Sequence, residues 1–102
     1  MPSVTPKERI AELLREELLT GKEEWWWISC VRMGEGFLGA VVVCGKGPTD
    51  AWKRAHGLGA IPRDVETSTM GPLEVAVVEE KIPESMRLRL LTKEELTKAE
   101  LM

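Results

Sequence analysis

Apolar and polar positions alternate along this chain with two periods, and each period marks its own segment. Ile10, Leu13, Leu14 and Leu18 recur at helical spacing, with Glu8, Glu12, Arg15 and Glu16 on the opposite side. Thr5, Pro6 and Glu8 suit an N-cap, a first helical position and the return bond of a capping box, and Gly21 suits a C-terminal stop. A first helix is predicted over about 6–20. From Trp25 to Cys44 the chain reads WWWISCVRMGEGFLGAVVVC, and the spacing predicts a β-hairpin with strands at about 24–33 and 37–44. Gly34-Glu35-Gly36 forms its three-residue loop. That register sets Met33 against Phe37, Val31 against Gly39 and Ser29 against Val41. One face then carries Trp25, Trp27, Val31, Met33, Phe37, Val41 and Val43. The other carries Trp26, Ile28, Cys30, Leu38, Ala40, Val42 and Cys44.

Gly45-Lys46-Gly47-Pro48 breaks the second strand and opens a helix over about 48–56, with Ala51, Trp52 and Ala55 inward and Gly57 and Gly59 ending it. Residues 60–72 read as irregular. Leu73, Val75 and Val77 alternate with Glu74, Ala76 and Val78, which predicts a third strand over 73–80. Arg87 to Leu91 reads as a short extended piece. Thr92-Lys93-Glu94-Glu95 is a second capping box, opening a C-terminal helix over about 93–102 with Leu96, Ala99 and Leu101 on one side. The order α-β-β-α-β-α, without repeats, predicts a single α+β domain over 1–102: a small antiparallel sheet with helices packed on it.

Size and charge narrow the function classes. A chain of 102 residues makes one domain with a modest core, and 43% apolar with 30% charged residues is a globular balance. Net charge −3 with a pI near 5.3 makes nucleic acid an improbable partner, and Arg87 with Arg89 is the sole basic cluster. No apolar run approaches the ~18 residues of a membrane span, and MPSVTPKERI lacks the apolar core of a secretory signal, so the expectation is a cytoplasmic protein. Cys30 and Cys44 share a predicted face but lie several residues apart along it, which predicts two free, buried thiols. The chain has no Asn and no Gln among abundant Glu, Lys and Arg, a composition that points to a thermophilic source.

The candidate motifs are weak as chemistry. Gly34-Glu35-Gly36-Phe37-Leu38-Gly39-Ala40-Val41 fits the glycine-rich loop of protein kinases, but H-R-D and D-F-G are missing, and the glycines read as turn and close-packing positions. The Gly45–Thr49 turn lacks the Walker spacing. It keeps the generic anion-holding features of a helix start, with Lys46, Gly47 and His56 as candidate residues. Cys30, Cys44 and His56 are singly placed and do not make a zinc pattern, and no Ser-His-Asp or Cys-His arrangement is legible. The paired acids Glu23-Glu24, Glu79-Glu80 and Glu94-Glu95 are adjacent in sequence and so point to different sides. No catalytic residue, cofactor or metal is therefore expected. Three consecutive Trp must divide between two faces. Apolar residues on both faces, with only three predicted helices to cover them, point to a homodimer or a host-protein partner. Its contact surface would be Trp25, Trp26, Trp27 and Phe37, or the first helix.

Four stretches recur in a familiar order: Trp27-Ile28-Ser29, Phe37 to Val43, Ala51 to Gly59, and Leu90 to Leu96. This resembles a family of small uncharacterised phage and prophage proteins, with a W-x-S strand, FLG followed by valines, a helix ending in A-x-x-L-G, and a closing R-L-L-[ST]-x-E-E-L. The resemblance covers about 26–101. It departs at Ala60 to Val65, where the family has a Gly-rich, Asn-containing turn, and the first helix reads as an addition. The resemblance implies a mobile-element setting and no assigned activity. The function expected from the sequence is a small non-catalytic accessory or regulatory protein acting by protein–protein interaction. The alternative is an anion or small-ligand module at the Gly45–Thr49 turn.

Overall fold

The structure, a computed structural model, describes residues 6–101. It is an α+β domain in which four antiparallel strands form one sheet and four α-helices surround it. The elements are α1 (Pro6–Thr20), β1 (Glu24–Arg32), β2 (Gly36–Gly45), α2 (Pro48–Gly57), β3 (Glu66–Leu73), α3 (Val75–Lys81), β4 (Leu90–Thr92) and α4 (Lys93–Lys98). A 3₁₀ turn at Glu84–Met86 joins α3 to β4. The strand order is β3-β1-β2-β4, so the Trp-rich hairpin occupies the middle of the sheet.

The hairpin forms, but its register differs by one residue from the expected one. The turn runs from Arg32 to Glu35, closed by the Glu35 N–H donating to the Arg32 carbonyl at 3.0 Å, which leaves Met33 in the loop and almost fully exposed. A bulge then leaves Leu38 unpaired between the pairs Val31–Phe37 and Cys30–Gly39. Beyond it Ile28 pairs with Val41, Trp27 with Val42, and Trp26 with Val43. A one-residue slip sends every side chain of the second strand to the other face. Trp26 and Ile28 thus share a core with Val41 and Val43, while Trp25 and Trp27 share one with Ala40 and Val42. The expected face of Trp25, Trp27, Val41 and Val43 does not exist. The same offset undoes the shared face of the two thiols: Cys30 pairs with Gly39 and Cys44 with Trp25, at opposite ends of the hairpin. Both are free, Cys30 buried and Cys44 half-buried. Burial pushes the Cys30 thiol up from its ordinary range.

The third strand lies earlier than expected, and a helix takes the place predicted for it. Glu66–Leu73, read as irregular, is an edge strand whose side chains alternate exposed and half-buried along Glu66 to Met70. The 73–80 stretch, read as a strand, is α3 for most of its length. There Val78 and Ile82, four apart, are fully buried, while Val75 is largely exposed. The Thr92 capping box is present as expected, with the Glu95 N–H donating to Thr92 Oγ1 and the Thr92 N–H to Glu95 Oε1. The helix it opens stops at Lys98, short of 102, and Glu100 takes a positive φ of 59°. Thr5 and Met102 lie outside the described residues.

Each sheet face carries its own core. Over one lies α2, with Ala51 and Ala55 seated on Trp26, Ile28, Val41 and Val43. Over the other lie α3 and α4, with Val78, Ile82 and Leu96 on Ala40 and Val42. Short β4 serves both, since Leu90 packs into the first and Leu91 into the second. The helix α1 contributes no residue to either core. It lies outside α2, and none of its residues is fully buried.

Candidate functional site

The turn between β2 and α2 is an anion site already filled by the protein itself. The first N–H groups of a helix have no intrahelical acceptor and attract negative charge. Here the Glu17 carboxylate, from α1, accepts from the Thr49 N–H at 3.2 Å and the Asp50 N–H at 2.8 Å. The Lys46 N–H donates to Asp50 Oδ2 at 2.8 Å. The chain approaches itself closely at this joint. A Cβ on Gly21 would collide with the Lys46 carbonyl oxygen, so that position requires glycine, and one on Gly47 would push the Glu17 carboxylate off its site. Arg54 continues the network, pairing with the buried Asp50 at 3.1 Å and with Glu23. The Arg54 hydrogen bond holds the Glu23 carboxyl below the usual carboxylate range.

His56 lies at the far end of α2, where its exposed ring meets Trp52 edge-on at 4.4 Å. The helix from Pro48 to His56 rises about 12 Å, so Lys46 and Gly47 are neighbours at its start while His56, near its end, joins neither.

Of the hairpin tryptophans expected at a contact surface, Trp26 is buried and Trp25 and Trp27 are half-buried. Trp26 Nε1–H donates to the Gly45 carbonyl at 3.1 Å. Trp27 Nε1–H donates to Ser29 Oγ at 2.8 Å. Trp25 lies under the Arg87 guanidinium at 5.0 Å and packs, with Trp27 and Phe37, against the second core. Arg87 also donates to the Ile82 carbonyl at 2.8 Å, and Arg89 pairs with Glu95 at 2.6 Å. The one basic cluster visible in the sequence is therefore committed to tying the chain together. Among the described residues, no three His, Cys, Asp or Glu side chains gather as a metal site would require, and no helix is long and apolar enough to cross a membrane.

An apolar stripe stays open on α1. Ile10 is 40% and Leu18 44% exposed, and Leu14 is half-buried. Together with Ala11 they floor a groove rimmed by Lys7, Arg15 and, from α2, Lys53. The helical spacing made this stripe legible. The first helix was one of the two contact surfaces expected, and what the sequence left out was that α2, α3 and α4 already pack on the sheet. The chain matches no protein-family model, no curated protein and no solved structure.

Proposed function

We propose that this protein is a small non-catalytic accessory or regulatory protein that acts by protein–protein interaction, with α1 as its contact element. The observation that carries this reading is the contrast between a sheet with a helix-covered core on each face and a helix whose apolar side chains at 10, 14 and 18 stay in contact with water. Exposed apolar stripes with polar rims mark interaction sites more often than isolated exposed residues do. The homodimer suggested by two apolar sheet faces has less support there, since helices of the same chain pack on both. A second copy seated on α1 is the form in which it survives. The anion-module alternative finds its turn occupied by Glu17.

The test is retention of partners by the immobilised full chain against a Leu14→Lys, Leu18→Lys variant with an unchanged unfolding midpoint. A protein held stoichiometrically by the native chain and lost by the variant supports the reading. Equal retention by both, or none by either with the chain monomeric, removes it. The mobile-element setting implied by the resemblance and the thermophilic source implied by the missing amides are proposals of the same standing. A melting midpoint in the mesophilic range of about 45–65 °C would remove the latter.

A further inference from the structure

We propose that the α1 groove is built for an acidic amphipathic helix of another protein, about three turns long. This rests on the reading of α1 as the contact element and names the chemistry of its partner. The floor, Ile10, Ala11, Leu14 and Leu18, runs along one side of α1 and calls for apolar side chains at helical spacing. From Lys7 to Leu18 it extends about 17 Å, the length of about twelve helical residues. The rim selects the partner's charge. Lys7, Arg15 and Lys53 supply three cations and the groove is lined by no acid. None of the three forms an ion pair among the described residues.

The same rim argues against the other occupants. A second copy seated groove to groove would add three cations to the three already there with no acid in either lining, which opposes association. An anionic lipid surface would meet the rim well, but Glu12 and Glu16 lie on the adjoining side of the same helix and the chain as a whole carries −3, so approach to a negatively charged plane is disfavoured. A short acidic helix fits between these constraints because it touches only the groove.

The experiment uses the full chain, isotopically labelled, and two synthetic fourteen-residue peptides. One carries leucines at heptad a and d positions with glutamates flanking them, and the other has lysine in place of every glutamate. The acidic peptide is expected to shift the amide resonances of residues 7–18 and 53, with binding weakened about tenfold when Lys7→Glu, Arg15→Glu and Lys53→Glu are combined. That triple variant is expected to bind the basic peptide instead, with shifts confined to residues 7–18 and 53, a local gain that misfolding cannot produce. The proposal is overturned if the acidic peptide causes no shift in this region at about 1 mM, if both peptides bind the native chain equally, or if anionic vesicles shift the same amides. It is also overturned if the chain sediments as a dimer joined through them. The dimer outcome would leave the interaction reading standing; failure of that reading itself shows as no retained partner in the experiment with the Leu14 and Leu18 variant.

Discussion

The central hairpin and α1 are both rich in apolar residues, yet they are held by opposite means. In the hairpin, Ile28, Val41, Val42 and Val43 are buried on two faces by helices drawn from all along the chain. In α1, no residue is buried, and the firm attachment visible is polar: Glu17 hooked onto the first N–H groups of α2, through glycines that let the backbones meet. Apolar content alone therefore does not locate the core. What decides is which elements reach the sheet first, and α1 is left outside with an apolar side to spare.

The largest expected effect lies in the hairpin. Ile28→Ala removes a fully buried side chain between Val41 and α2 and should cost about 2–5 kcal/mol in denaturant unfolding, a large part of the stability of a domain of this size. A cost below about 1 kcal/mol would mean that the first core is loose and the contrast with α1 overstated.

Next comes the hook. Glu17→Ala strips the N-terminus of α2 of its acceptor and should cost about 0.5–2 kcal/mol, the range of a lost helix cap. Its sharper signature is local: amide exchange should accelerate along α1 while β1 and β2 keep their protection. Uniform acceleration would show that α1 is part of the cooperative core after all.

Acid should act on the ties and spare the core. Arg89 hydrogen bonds, with the Thr92 N–H, hold the Glu95 carboxyl down from 4.5 to about 2, and Arg54 holds Glu23 down in the same direction. A carboxyl whose folded value is depressed stabilises the fold fully above its unfolded value and loses that contribution as pH falls through the folded one. The melting temperature should thus hold steady above pH 4.5 and fall between there and about 2, and Glu95→Gln should flatten part of that decline. Because both carboxyls lie at the surface, the slope should be modest and should shrink further in high salt.

The same division explains what could be read from the sequence. Features fixed by neighbours in the chain were legible: the span of α1, the start of α2 at Pro48, and the Thr92–Glu95 box. Features fixed by distant partners were not. The Leu38 bulge has no local marker, yet it turned Val41 and Val43 toward Trp26 and away from Trp25. The Thr67–Met70 stretch is polar because β3 is an exposed edge, and so it looked irregular. The Val75 to Val78 run suits a strand by composition, but the tertiary structure uses it as a helix that buries Val78 and Ile82. Glu17 did leave a trace, an acid placed by spacing among Leu13, Leu14 and Leu18 on the apolar side of α1. An acid in that position asks for an acceptor-hungry partner, and a helix N-terminus 32 residues away supplies one.

The smallest effect is the most discriminating. Leu18→Ser changes an apolar residue in a segment that reads from the sequence like any core-facing helix. If the stripe were core, the change would cost as much as Ile28→Ala, because both delete a large aliphatic side chain. Leu18 is 44% exposed, however, and belongs to neither core, so the unfolding free energy should move by no more than about 0.5 kcal/mol. Leu13→Ser, on the half-buried side of the same helix, should cost more. That ordering, Ile28 above Leu13 above Leu18, ties the position of α1 to a measurement that needs no partner. If Leu18 proved as costly as Ile28, α1 would be core and its groove closed in solution. If Leu18 is silent in stability but its charge-bearing variants change what the protein retains, the exposed stripe is kept for contact and not for folding.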